Sequence, residues 1–210
     1  MLPFSEACER NKDPILAVLR GAFAERREVL EIGSGTGQHA IYFAEHLPHL
    51  LWRPTERLAS LADLEACLKV AAWPNLCSPA VLDVSQKEWP VRQVDAVFTA
   101  NTLHIMSWPN VIALFAGIGA ILQADGAFAV YGPFRYDGAY TSESNQRFDQ
   151  MLKLRDPHSG LRDIEALKKL AAEHGMQLVA DHDLPAHNRL LLWKRGPAQG
   201  ARGGRPGRPA

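Results

Sequence analysis

Apolar residues along the chain alternate between two spacings, and each switch marks an element. Strand-like apolar runs fall at 29–32, 50–55, 80–84, 94–100 and 127–131. Between them the apolar residues recur every three or four positions, as on a helix face. These stretches predict helices from Gly37 or Gln38 to about Leu47, over 57–72 with Leu58, Leu61, Leu64 and Leu68 on one stripe, and from Pro109 to Leu122. Ahead of the first strand, Asp13-Pro14 reads as the start of a helix over 15–24, because aspartate caps well and proline suits a first turn. Residues 1–13 show no clear period, and they sit where they could lie across a crevice at the strand ends. After the fifth strand come a glycine- and aromatic-rich loop at 132–140, a helix capped by Thr141 or Ser142 to about Leu154, a turn at 156–160 and a helix over 161–174. Two last strands follow at 176–182 and 189–194. Their join is too short for a parallel crossover, so the final strand must run antiparallel. The alternation predicts an α/β domain: a seven-stranded, mostly parallel sheet with an antiparallel last strand and helices on both faces.

One stretch stands apart. Between the first strand and the next helix, glycines occupy alternate positions 33, 35 and 37. Glycine lets a backbone turn through positive φ and approach a ligand with no Cβ in the way, and such a loop can point backbone N–H groups into the crevice. A dinucleotide loop needs G-x-G-x-x-G, and Gln38 stands where its last glycine belongs. That disfavours nicotinamide or flavin dinucleotides, and with them an oxidoreductase. Polar groups also end the next strands: Glu56 after the second, Asp83 beside Val84 after the third, Asn101 after the fourth. Open α/β sheets bind ligands in the crevice outside these ends.

Composition narrows the class. The 210 residues are 47% hydrophobic with no formal net charge, ordinary for one compact domain. Arg202, Arg205 and Arg208 belong to a Gly/Pro/Arg-rich stretch at 196–210, expected to be disordered, so the domain at 1–195 is slightly acidic and gives no strong nucleic-acid signal. Residues 1–24 are its N-terminal cap segment and helix. Cys8, Cys67 and Cys77 lack a C-x-x-C spacing, which argues against disulfides or a cysteine zinc site. The Asp181-His182-Asp183 run with His187 reads as a solvated hairpin end, so no metal is expected. No run approaches membrane-spanning length. A cytoplasmic monomer or homodimer is the expectation.

Glu31-x-Gly33-x-Gly35-x-Gly37 resembles motif I of the class I S-adenosylmethionine-dependent methyltransferases, which have a Rossmann-like fold. The similarity extends to Glu9-Arg10-Asn11-x-Asp13-Pro14-Ile15, Trp52-x-Pro54-Thr55-Glu56, Asn101-x-x-His104-Ile105, Tyr131-Gly132-Pro133-Phe134, Ser144-Asn145-x-x-Phe148-Asp149 and Pro185-Ala186-x-Asn188. Together these resemble the methyltransferase-like 26 family over roughly residues 5–195, with a departure at His187, where asparagine is expected. The resemblance implies S-adenosylmethionine as cofactor and S-adenosylhomocysteine as product, held by Glu31, Gly33, Ser34, Gly35, Gly37, Gln38, His39, Glu56, Asp83, Val84 and Asn101. It implies a methyltransferase, the alternative being a non-catalytic binding or scaffold protein. The candidates around the methyl group are His104, Tyr131 and Asp149 for catalysis and Asn11, Phe134, Asn145, Phe148 and Asn188 for the acceptor. Asn145, Phe148, Asp149 and Leu152 fall on one helix stripe. Amino-methylating relatives carry Asn/Asp-Pro-Pro-aromatic where this chain has Asn101-Thr102-Leu103-His104, so a small-molecule acceptor is expected.

Overall fold

The computed structural model describes residues 4–71 and 73–197. In chain order the helices are α1 (Glu6–Ala22), α2 (Gln38–His46), α3 (Leu58–Leu68), α4 (Trp108–Ile121), α5 (Glu143–Arg155) and α6 (Ile164–Glu173). The strands are β1 (Glu28–Ile32), β2 (Leu51–Glu56), β3 (Ala80–Val81), β4 (Val94–Ala100), β5 (Leu122–Gly132), β6 (Phe134–Tyr136), β7 (Ala139–Tyr140), β8 (Arg162–Asp163), β9 (Met176–Leu184) and β10 (Asn188–Arg195). Seven strands form one sheet in the order β3-β2-β1-β4-β5-β10-β9. Strands β1 to β5 pair in parallel, and β10 runs antiparallel to both β5 and β9. The expected antiparallel last strand is present, inserted one place inside the sheet edge.

Each face of the sheet buries its own core. Ile15 and Leu19 of α1, Phe23 just after it and Phe43 of α2 pack on Trp52, Phe98 and Ala129. On the opposite face Leu114, Phe115 and Ile118 of α4 and Leu167 of α6 pack on Leu30, Val97, Phe128 and Trp193. The chain leaves β1 outward through β2 and β3, then returns to β4 on β1's other side. The crevice therefore opens at the carboxyl ends of β1 and β4, where the strand order reverses.

Several boundaries differ from those the pattern predicts. Helix α1 begins nine residues before Ile15, capped by the Ser5 hydroxyl on the Cys8 amide, with Pro14 inside it. Its buried face includes the polar Asn11 with Ile15, Leu16 and Leu19, so the helical period is present but not apolar. Helix α3 stops at Leu68, and Leu58 is exposed. Strand β3 is only two residues long, because Asp83 accepts bonds from Ser85 and turns the chain. The stretch 132–140 holds a hairpin turning at Asp137-Gly138, both at positive φ, and β6 extends into a small second sheet with β8. That pairing draws 162–163 out of the helix predicted there, and α6 starts at Ile164 behind its Asp163 cap. No helix of the described residues is long and apolar enough to cross a membrane. From residue 198 on, the stretch expected to be disordered lies outside the described residues.

The β9–β10 turn holds Ala186 and His187 at φ values of 60° and 58°. Asparagine suits this left-handed region. Alanine has no polar group to offset the strain. Ala186→Gly should therefore raise the unfolding free energy by about 0.5–1 kcal/mol, measured as the denaturant midpoint at unchanged slope.

Candidate active site

The glycine loop rests on a web of hydroxyls. Thr55 Oγ1 donates to the Glu31 carbonyl at 2.6 Å, and Thr99 Oγ1 donates to the Ile32 carbonyl at 2.7 Å while sharing a 2.6 Å bond with Thr102 Oγ1. The amides of Gly33 and Ser34 both donate to the Thr55 carbonyl, at 3.1 and 2.9 Å. Gly33 sits at φ 72°, and a Cβ there would lie 2.7 Å from the Thr102 methyl, so both backbone and space require glycine. The Gly37 amide donates to the Ser34 carbonyl, and the Gly35 amide donates to Glu56 Oε2 at 2.9 Å. The loop thus does not aim these N–H groups at the crevice. It presents a bare backbone instead: a Cβ at Gly35 would meet nothing within 4 Å.

Above the loop lies a cleft of about 970 Å³. Of the anticipated residues, Gly33, Ser34, Gly35, His39, Glu56, Asp83, Val84 and Asn101 line one half, and His104, Asn145, Phe148 and Asn188 line the other. Asn101 holds φ 58° at the end of β4, a conformation asparagine tolerates, and this turns the chain toward Thr102. Ser85 holds the Asp83 carboxyl below the usual carboxylate range by bonds from its hydroxyl and amide. The His104 ring meets Phe148 edge-on at 5.2 Å. Burial, aided by the Arg162 guanidinium, pushes His104 down to about 4, so its imidazole is uncharged at neutral pH.

Seven anticipated residues lie behind the cleft wall. Gln38 clamps the start of α1: its Oε1 accepts from the Ser5 amide at 2.5 Å and its Nε2 donates to the Ser5 carbonyl. Gly37 is packed under Leu64 and Leu68 of α3. Glu31 is buried beneath the loop, accepting from Trp52 Nε1 at 2.9 Å. Asn11 is bonded to His39 Nε2 at 2.6 Å and adjoins the buried Tyr131 hydroxyl, so both serve to seat α1 on the sheet. Phe134 is fully buried in the hydrophobic core. Asp149 accepts from Tyr140 (2.7 Å), Lys153 (2.6 Å) and the Leu161 amide (2.6 Å). A carboxylate held by three donors is a brace, not a free base. Its stripe on α5 divides: Asn145 and Phe148 face the cleft, while Asp149 and Leu152 face inward.

Sequence reasoning missed Ser5, Ala7 and Cys8, which line the cleft from the first turns of α1. Their helical spacing to Asn11 and Ile15 was the available signal. It also missed Arg162, whose guanidinium donates to the carbonyls of Leu103 and His158 at 3.0 Å each and to that of Met106, pinning the loop that carries His104.

The chain matches the family described as "Protein of unknown function (DUF938)" over residues 2–195. It belongs to that family. The DUF938 chain is similar in fold to an O-methyltransferase family protein from Burkholderia thailandensis, at TM-score 0.79 and 14% identity, over 92% of this chain and 59% of that one. It is similar to human N-acetylserotonin methyltransferase in complex with S-adenosylmethionine, at TM-score 0.76 and 14% identity, over 91% of this chain and 53% of that one. PigF with S-adenosylhomocysteine matches at TM-score 0.74 and 16% identity, over 89% and 56% of the two chains. The DUF938 chain thus has the class I methyltransferase fold and spans 53–59% of the length of these three structures.

Burial pushes Glu31 up to about 7 against the bonds from Trp52 and Ser34. An acid raised on folding stabilises fully below its unfolded value near 4.5, and that stabilisation is lost as pH rises through 7. His39, lowered by burial to about 4, and His104 act oppositely, losing stabilisation as pH falls from 6.5 toward 4. In the DUF938 protein, Glu31→Gln should remove only the first effect. Relative to wild type, its stability should improve by about 3 kcal/mol between pH 4.5 and 8, read from denaturant unfolding at each pH. A pH-independent difference would show an ordinary carboxylate.

Proposed function

We propose that this protein is a methyltransferase using S-adenosylmethionine, acting on a small-molecule acceptor as a member of the group that includes the methyltransferase-like 26 proteins. One observation carries the reading: Glu56, at the end of β2, reaches to the loop after β1 and accepts from the Gly35 amide at 2.9 Å, over a loop that leaves open space above it. An adenosine ribose lying there would present two hydroxyls to that carboxylate. Asp83 has one oxygen, Oδ1, engaged by Ser85, which leaves Oδ2 for an adenine amino group beside the Val84 backbone. The amides of Gly33, Ser34, Gly35 and Gly37 are all engaged within the protein, which suits a cofactor without pyrophosphate. The cleft volume, near the top of the roughly 300–1,000 Å³ range of small-molecule sites, accommodates a cofactor and an acceptor together. The cofactors bound in the human and PigF structures support the same reading.

Held by Glu56, Asp83 and the glycine loop, the cofactor would supply an electrophilic sulfonium methyl to the acceptor's lone pair, the electrons of the carbon–sulfur bond staying on sulfur. The acceptor's proton then passes to His104. Alignment in the cleft supplies much of the acceleration. An imidazole with a pKa near 4 is a weak base, suited to a proton that becomes acidic as the new bond forms.

Glu56→Ala should weaken S-adenosylhomocysteine binding by roughly a hundredfold in calorimetry while the circular dichroism stays native. Unchanged affinity would reject the site. His104→Ala should leave that affinity intact and slow S-adenosylhomocysteine release in the presence of an acceptor by roughly a hundredfold or more. In the wild type this group should leave the rate flat through neutral pH, with a decline only toward about pH 4.

A further inference from the structure

The side of the cleft away from Glu56 contains a polar atom with no hydrogen-bond partner among the described residues. Asn145 is only 6% exposed and lines the cavity from the first turn of α5. Its Nδ2 donates to Thr141 Oγ1 at 2.8 Å and to the His187 carbonyl at 3.0 Å. Both amide hydrogens are therefore engaged, which fixes the orientation of the amide. Its Oδ1 receives no hydrogen bond among the described residues, nor is it sealed from the cavity. The strained Ala186–His187 turn supplies the carbonyl that holds it so. The oxygen is open to the cavity, so a ligand that displaces water from it must supply a donor or leave it unpaired at a cost.

The surroundings narrow that donor further. Phe148 offers an aromatic surface, and its edge-on packing with His104 keeps the imidazole beside it. Among the described residues, this half of the lining contains no lysine or arginine; the arginine of the cleft, Arg57, adjoins Glu56 on the other side. Arg162 lies behind the wall with its bonds directed at three carbonyls. The charged group that does line this half is Asp156, a carboxylate. An anionic ligand would thus meet the like charge of Asp156, with neutral donors such as Ser144, His158 and Asn188 but no cation of this half to offset the loss of its water.

We infer that the methyl acceptor is an uncharged, partly apolar molecule that donates an N–H or O–H hydrogen bond to Asn145 Oδ1, and that carboxylates and phosphates are not accepted. This rests on the methyltransferase reading above. An alkylammonium would have to shed a proton before its nitrogen could attack, so the reacting species is the neutral amine.

The test separates the two layers. Calorimetry of the full chain with S-adenosylhomocysteine comes first, and absence of binding there overturns the methyltransferase reading itself. Phenol, anisole and benzoate are then titrated into the S-adenosylhomocysteine-saturated protein and followed by amide NMR. Phenol should bind roughly tenfold more tightly than anisole, which lacks the donor, with benzoate weaker still and the Asn145 side-chain amide shifting with phenol. Asn145→Leu should abolish the preference for phenol over anisole while retaining S-adenosylhomocysteine. Equal binding of phenol and anisole, benzoate matching phenol, or no binding by any of the three at millimolar concentration overturns the inference while the methyltransferase reading stands. The wild-type comparison decides the matter even if the variant does not fold.

Discussion

Parallel strands that end together leave their last carbonyls without ladder partners, and this fold meets that constraint with threonine and serine. Thr55 and Thr99 take the carbonyls of Glu31 and Ile32, and Ser34 Oγ accepts from the Thr55 amide at 3.2 Å. These bonds tie β1 to both neighbours at the point where the glycine loop departs. The loop is therefore shaped by the sheet before any ligand arrives. Because Thr102 closes on Gly33 from one side and the Thr55 carbonyl from the other, the turn has no room to relax. Preorganisation of this kind lowers the ordering cost of binding.

The same constraint explains why this half of the site was legible in the sequence. A strand, alternate glycines and a polar residue at each following strand end are all local patterns. Gly33, Glu56, Asp83 and Asn101 reach the cleft because strand ends in a parallel sheet converge there, whatever the loops do. The start of α1 was hidden because its inward positions are Cys8 and Asn11, which break an apolar count while keeping the helical spacing. The Asp137-Gly138 hairpin was a readable turn signal passed over because its strands are two and three residues long.

Tertiary choice decided the rest. Nothing in the local sequence of Gln38 says that its amide reaches back 33 residues to Ser5, or that Tyr131 faces Asn11 and not the cleft. Asp149 and Asn145 are equivalent by spacing, one helical turn apart, yet one braces the chain and the other lines the cavity. What separates them is the 156–161 turn, which comes to Asp149 and leaves Asn145 to the β9–β10 turn.

The two halves of the cleft are therefore held by different means, and this has a functional consequence. The half with Glu56 is fastened to the sheet by several bonds at once, the Thr55 and Thr99 hydroxyls on β1 carbonyls and the Gly33 and Ser34 amides on the Thr55 carbonyl, so single changes at its rim leave its shape intact. The half with His104 hangs on isolated bonds: Asp149 fixes Leu161, the Gly160 amide donates to the His104 carbonyl at 2.8 Å, and Arg162 ties down the carbonyls on either side of it. Loss of any one frees a loop without unfolding a strand. A common cofactor needs an invariant seat, while acceptors differ from enzyme to enzyme, and a wall built from loops and one helix can be reshaped one brace at a time. On the proposed methyltransferase reading, those braces fix where His104 stands relative to Asn145 Oδ1, and hence the size of molecule that can bridge them.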